Sequence, residues 1–281
     1  MRIDSHQHFW NYSSQDYPWI PVGSAIHGDF GPEDLRLILE PLGIDGSIAV
    51  QARQSLNENL FLSRLAEEYD IIKGIVGWID LRNPAVEAQT RSFARLPKAV
   101  GVRHVVQDET DPNFMAGPEF RQGISTLRQH GLVYDLLIYA HQLPDAIRLV
   151  DAFPEQPFVL DHIAKPAIRD GEIDSWRRGM SELAKLPNVN VKLSGMVTEA
   201  DHSGWNVDQL KPYWEIVCEL FTPDRILYGS DWPVIQLAAQ YRDWVGIVSD
   251  WLSPLSESDQ SLVWGGNASR IYLQRLASLE A

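Results

Sequence analysis

A closed (β/α)8 barrel, the TIM-barrel member of the α/β class, is the fold this sequence predicts, and three observations predict it. Eight runs of strand length recur along the chain, apolar on both faces. Amphipathic stretches of helical length separate them, and 281 residues, 44% of them hydrophobic, suit the roughly 250 that one such barrel uses. Residues 1–281 are therefore expected to form a single domain. An open doubly wound sheet would alternate in the same way. It needs a glycine-rich turn after its first strand, however, and Gln7-His8-Phe9-Trp10 contains no glycine.

The first strand is Ile3-Asp4-Ser5-His6-Gln7-His8-Phe9. Residues i and i+2 of a strand share a face, so Asp4, His6 and His8 are expected to point the same way, and the two imidazoles can converge on one metal ion or one substrate oxygen. Residues 11–31 show little periodicity and carry Tyr12, Tyr17 and Trp19, as a loop covering a site would. Gly31-Pro32-Glu33-Asp34 opens a helix with acids in its first turn, continuing through Leu35, Ile38 and Leu39. Strand-length apolar runs then fall at 44–51, 71–80, 99–107, 132–139, 158–163, 189–195 and 226–231, with helical stretches at 57–69, 84–96, 119–130, 143–153, 173–186 and 207–220. Tyr241, Trp244, Ile247, Val248 and Trp251 recur at helical spacing and read as core, and Gly265-Gly266-Asn267 opens a last helix through Ile271, Tyr272 and Leu276.

A formal net charge of -14 and a pI near 4.9 argue against nucleic acid and anionic membranes as partners. No apolar run approaches the roughly 20 residues that span a bilayer, and no basic segment followed by an apolar one opens the chain, so the cytosol is the expected compartment. The one cysteine, Cys218, can form no intramolecular disulfide and reads as an inert thiol on a helix.

In a parallel barrel the chemistry sits at the carboxyl ends of the strands. There the sequence places His6 and His8, Gln51 and Arg53, Trp78 and Asp80, Arg103, His104 and Gln107, Tyr139 and His141, Asp161 and His162, Lys192 and Ser194, and Asp231 and Trp232. Strand alternation admits only one of each adjacent pair, and the inward choices are Arg103 over His104 and His162 over Asp161. Lys192 either neutralises Asp4 in the barrel floor or acts in the site. Trp78 and Trp232 are packing residues or platforms for a sugar ring. Asp231, followed by Trp232-Pro233, puts a carboxylate opposite two imidazoles, where it can hold a metal or take a proton from water.

Ile3-Asp4-Ser5-His6-Gln7-His8-Phe9-Trp10, Gly101-Val102-Arg103-His104, Leu160-Asp161-His162-Ile163-Ala164-Lys165-Pro166, Lys192-Leu193-Ser194-Gly195, Gly229-Ser230-Asp231-Trp232-Pro233 and Gly266-Asn267-Ala268 together resemble the amidohydrolase superfamily, and within it the branch of sugar-lactone hydrolases. The resemblance implies a barrel of the amidohydrolase type that opens an aldono-lactone, such as L-fuconolactone or L-rhamnonolactone, with Asp231 handling the water. Asp231, His162, His6 and His8 are the expected catalytic residues, and Arg53, Arg103, Gln51, Trp78, Tyr139, His141 and Lys192 the expected substrate-binding ones. One zinc ion on His6, His8 and Asp231 is implied, in a branch that includes members needing no metal. Two departures stand out. The fourth strand has no lysine or glutamate to bridge two metals, and Tyr139 and His141 occupy a stretch where arginines are expected. A zinc-dependent decarboxylase using His6, His8, His141 and Asp231 is the alternative, and a non-catalytic carbohydrate-binding barrel fits least. The expected partner is a small sugar lactone, with a homodimer left open as the assembly.

Overall fold

The apolar runs become eight short strands because β-branched and other apolar side chains can bury both faces of a parallel sheet at once. A computed structural model describes residues 1–280, and Ala281 lies outside the described residues. The strands are β1 (Ile3–Gln7), β2 (Gly46–Val50), β3 (Ile72–Gly77), β4 (Ala99–Val105), β5 (Val133–Leu137), β6 (Phe158–Leu160), β7 (Val189–Leu193) and β8 (Ile226–Tyr228). They pair in sequence order and all in parallel. Just past β8 the ring returns to β1, where Gln7 bridges Trp232. Asp231 N–H donates to the His6 carbonyl at 2.8 Å and His8 N–H to the Trp232 carbonyl at 2.7 Å.

Outside the ring lie α1 (Pro32–Leu39), α2 (Leu56–Glu68), α3 (Val86–Ala94), α4 (Pro118–Leu127), α5 (Leu143–Ala152), α6 (Asp174–Ala184), α7 (Val207–Phe221) and α8 (Tyr241–Leu252). Their buried faces supply Leu62, Phe93, Ile124, Leu149, Met180 and Val217 against the outward strand residues Ile75, Leu136, Leu160, Val191 and Leu193. A second, smaller core fills the barrel floor. Ile3, Ile48, Val50, Val76, Val100, Val133, Val159 and Leu227 meet there, closed from below by Ala268 and Tyr272 of the C-terminal helical segment. Among the described residues no helix is long and apolar enough to cross a membrane.

Strand alternation fails at two places that matter for the site. The register of β1 against β2 shifts between Asp4 and Gln7, so Ile3 faces the floor, and Asp4 turns to Ser230 and to Tyr241 of α8 instead of sharing a face with His6. β6 stops at Leu160, three residues short of the expected end. His162, Ile163, Ala164 and Lys165 then follow with φ between 45 and 61°, a left-handed run that non-glycine residues seldom adopt. Alternation no longer applies there, and Asp161 and His162 both reach the interior.

The loop over residues 11–31 is anchored at its base by paired Trp10 and Phe30 backbone hydrogen bonds of 3.0 and 2.9 Å. Trp10, Tyr17, Ile20 and Ile26 form its own apolar cluster at the barrel mouth.

Candidate active site

Three strand ends bring the candidate residues together. His6, next to last in β1, faces inward, and His8 lies just past the strand. Asp231, three residues past β8, sits at φ 61° with its amide tied to the His6 carbonyl. Gly229 permits that approach, since a Cβ there would come within 2.9 Å of the His6 Cβ. His162 enters from the left-handed turn after β6 and lies over Gly195, at φ 66°, where a Cβ would be 2.6 Å from His162 Nδ1.

His8 Nδ1 lies 2.8 Å from the Val50 carbonyl. A carbonyl only accepts, so Nδ1 carries a proton, and in the uncharged form of the ring the lone pair is at Nε2. That Nε2 is 3.2 Å from His6 Nε2 and 3.3 Å from Asp231 Oδ1. Asp231 Oδ1 also lies 3.8 Å from His6 Nε2 and 3.9 Å from His162 Nε2. Burial pushes the Asp231 carboxyl up, but His162, His8 and Lys165 outweigh it and hold the group below the usual carboxylate range. Burial drives His6 and His162 well below the ordinary imidazole value against the pull of Asp161 and Asp231. The site at neutral pH is thus an ionised carboxylate facing the uncharged His6 and His162 rings.

Beneath it runs a buried charge network. Lys192 pairs with Asp135, lies 2.9 Å from Asp161 Oδ1, and reaches His6 Nδ1 at 3.2 Å. Arg103 Nη1 donates to Asp161 Oδ2 at 3.1 Å and lies 3.3 Å from His6 Nε2, while Nη2 donates to the Gln51 carbonyl. The Tyr272 hydroxyl donates to Asp135 Oδ1 at 2.7 Å from below. Burial pushes Asp161 up, yet Lys192, His6 and Arg103 together keep it well below its ordinary value. Two carboxylates and two cations balance, which makes such burial tolerable. Lys192 therefore neutralises Asp135 and Asp161, not Asp4, whose four hydrogen-bond partners are neutral.

The donor set suits a single divalent ion. Zinc–ligand bonds of about 2.0–2.1 Å set tetrahedral ligand atoms about 3.3–3.4 Å apart. Two sides of the His6, His8, Asp231 triangle, 3.2 and 3.3 Å, match that and the third, 3.8 Å, is slightly open. His6 Nδ1, 3.3 Å from Asp161 Oδ1, has the carboxylate partner that ligating imidazoles usually keep. A second set, His6, Asp161 and His162, also converges, but it shares His6, and its carboxylate is taken by Lys192 and Arg103.

Above these groups opens a cleft of about 500 Å³, walled by Asp16, Trp19, Arg53, Arg103, Lys165 and Leu237 among others. A wider groove of about 920 Å³ along Ile38, His202 and residues 236–243 holds none of the converging rings, so size does not pick the site. Of the residues expected from sequence to bind substrate, Arg53 and Arg103 line the cleft. The others do not. Gln51 is wholly buried and meets Arg103 through its carbonyl, and Lys192 lies beneath His6. Trp78 is pinned by Asn59 through bonds of 2.6 and 2.8 Å and turned against His104, in a separate pocket. Tyr139 and His141 lie beyond the end of β5, where the chain already turns through Ala140–Gln142 into α5. Their rings stack on each other 6.0 Å apart, with His141 exposed. Asp135 and Lys165 join or adjoin the site without having been singled out, and Asp161, set aside in favour of His162, joins it too. An aspartate in the middle of an apolar strand run, as Asp135 is, was the signal for a buried cation opposite it.

A family model described as amidohydrolase matches residues 3–273. An L-fucono-1,5-lactonase of Burkholderia multivorans is 39% identical over 97% of this chain and 96% of its own length. Another, of Burkholderia ambifaria, is 37% identical over 96% and 95%. A crystal structure of an amidohydrolase from Burkholderia multivorans with bound zinc superposes with a TM-score of 0.93 at 40% identity, covering 97% of this chain and 99% of that one.

Proposed function

The chain belongs to the amidohydrolase family, and from that premise we propose that it is a lactonase that opens a neutral sugar lactone, L-fucono-1,5-lactone or a close aldono-lactone, to the sugar acid. The observation that carries this reading is the ionised Asp231 carboxylate within 3.3–3.9 Å of three imidazoles at the floor of a sugar-sized cleft.

Asp231 Oδ1 takes a proton from a water held by the His8 Nε2 lone pair, and the water oxygen attacks the lactone carbonyl. The Nδ1–H of His8 is committed to Val50 and is not available to that carbonyl. The charge that grows on the carbonyl oxygen falls beside the Arg103 guanidinium, and His162 and Arg103 orient the ring. His6, His8 and Asp231 are the residues that would hold zinc, which when bound supplies Lewis acidity at the carbonyl oxygen. Arg53 acts at one remove. Its guanidinium is held by Asp16 and by the buried Glu58 at 2.9 Å, so it fastens the loop over residues 11–31 across the cleft.

Charge selects the substrate class. The cleft is lined by three cations, Arg53, Arg103 and Lys165, and three carboxylates, Asp16, Asp108 and Asp231. Each cation already faces a carboxylate, so a dicarboxylated pyrone finds no free pair of arginines, whereas a neutral lactone needs none. The decarboxylase alternative needs His141 among the metal ligands, and His141 stands exposed outside the cleft. A panel of neutral aldono-lactones and dicarboxylated pyrones, followed by a pH indicator with and without chelator, tests the proposal. Turnover of neutral six-carbon lactones is expected, and a preference for the dicarboxylates that strengthens at low salt would refute it.

A further inference from the structure

Lys165 ends the left-handed run after β6 and lines the same cleft as Asp231 and His162. Four successive non-glycine residues in that conformation cost energy, and what they achieve is to bring both His162 and Lys165 to the cleft. The Lys165 side chain is 19% exposed. Its ammonium lies 3.5 Å from Glu199 Oε1 and 5.6 Å from the centre of the Tyr139 ring, so a carboxylate and a π-face steer it from either side.

Several other polar groups of the cleft already have partners. Arg103 donates to Asp161 and to the Gln51 carbonyl, and Arg53 to Asp16 and Glu58. The His8 N–H is on Val50, and His162 Nδ1 is 2.9 Å from the Ser194 hydroxyl. An ammonium has three N–H groups, and of the contacts that the cleft's lysine and arginines make with carboxylates the longest is that of Lys165. A departing ring oxygen is an alkoxide and must acquire a proton.

Building on the lactonase reading, we propose that Lys165 is the catalytic residue that donates this proton to the ring oxygen as the lactone opens. Asp231 removes one proton from water as the new C–O bond forms and the carbonyl π pair moves onto oxygen. When the tetrahedral adduct collapses, that pair returns, the bond to the ring oxygen breaks, and its electrons take a proton from Lys165 Nζ. The amine recovers a proton and Asp231 releases one, both through solvent. Water is thereby added across the ester bond, and one proton leaves when the sugar acid ionises.

The test uses the whole enzyme with the best neutral lactone, measuring kcat and KM for Lys165→Ala and Lys165→Arg, with thermal unfolding as the check on folding. Both variants are expected to lose about 10²-fold or more in kcat, with KM changing less, since arginine keeps the charge but holds its proton too tightly to give it up. Methylammonium should restore kcat to the alanine variant, and tetramethylammonium, a cation with no proton, should not. A wild-type kcat in either variant, rescue by both cations alike, or rescue by neither overturns the assignment. If the wild type opens the lactone and Lys165→Ala does so equally well, only this inference fails; a wild type that opens no lactone overturns the lactonase reading as well.

Discussion

Replacing Asp4 by asparagine should change how stability depends on pH. Asp4 is fully buried and bonded only to neutral partners: the His6 and Ser230 amides at 3.1 and 2.9 Å, the Ser230 hydroxyl at 2.6 Å and the Tyr241 hydroxyl at 2.9 Å. Burial outweighs these bonds and pushes its carboxyl from 3.8 up to about 6. A carboxyl raised in the fold contributes stability that is complete below its unfolded value and is lost as pH rises through the folded one. Between pH 3.8 and about 6, at about 1.4 kcal/mol per pH unit, that loss comes to roughly 3 kcal/mol. Asparagine keeps the acceptor and donates where the protonated acid would, without a charge to bury. His6 and His162, both lowered, act in the opposite sense, costing stability as pH falls through the ordinary imidazole range, but they are common to both proteins. Urea unfolding from pH 4 to 7 should therefore show Asp4→Asn gaining on the wild type by about 3 kcal/mol as pH rises. Parallel curves, or a gap that moves the other way, would refute the reasoning.

Lys192→Met should destabilise the protein at pH 7 by about 3–5 kcal/mol, because it leaves Asp135 and Asp161 buried with only Tyr272, His6 and Arg103 as partners; a loss below about 1 kcal/mol by denaturant titration would contradict this. Elemental analysis after dialysis against zinc should find at most one tightly held ion per chain, and two stoichiometric ions would show that the His6, Asp161, His162 set also binds despite Lys192 and Arg103.

The barrel was legible because each strand is buried on both faces, so its apolar runs stand out against the amphipathic helices, and the strand ends then pointed to His6, His8 and Asp231. What escaped were departures from regular geometry. The shift in β1 that turns Asp4 outward leaves no glycine or proline to mark it. The left-handed run from His162 to Lys165 is likewise built without glycine, so strand alternation wrongly excluded Asp161 and gave no weight to Lys165. Trp78, Tyr139 and His141 were placed by their nearness to strand ends. Their directions were decided by contacts far away in sequence, with Asn59 and His104 for Trp78, and by the immediate turn into α5 for the other two.

The central claim is that Asp231 is the base that activates water. Its most direct test is the turnover of L-fucono-1,5-lactone by Asp231→Asn beside the wild type, with thermal unfolding of both as the check on the fold. Asparagine keeps the shape and the amide bond to His6 but cannot take a proton, so kcat should fall by about 10²-fold or more while the protein stays folded, its unfolding temperature lowered by the loss of a carboxylate that His162, His8 and Lys165 favour. A folded Asp231→Asn variant that opens the lactone at close to the wild-type rate would contradict the account.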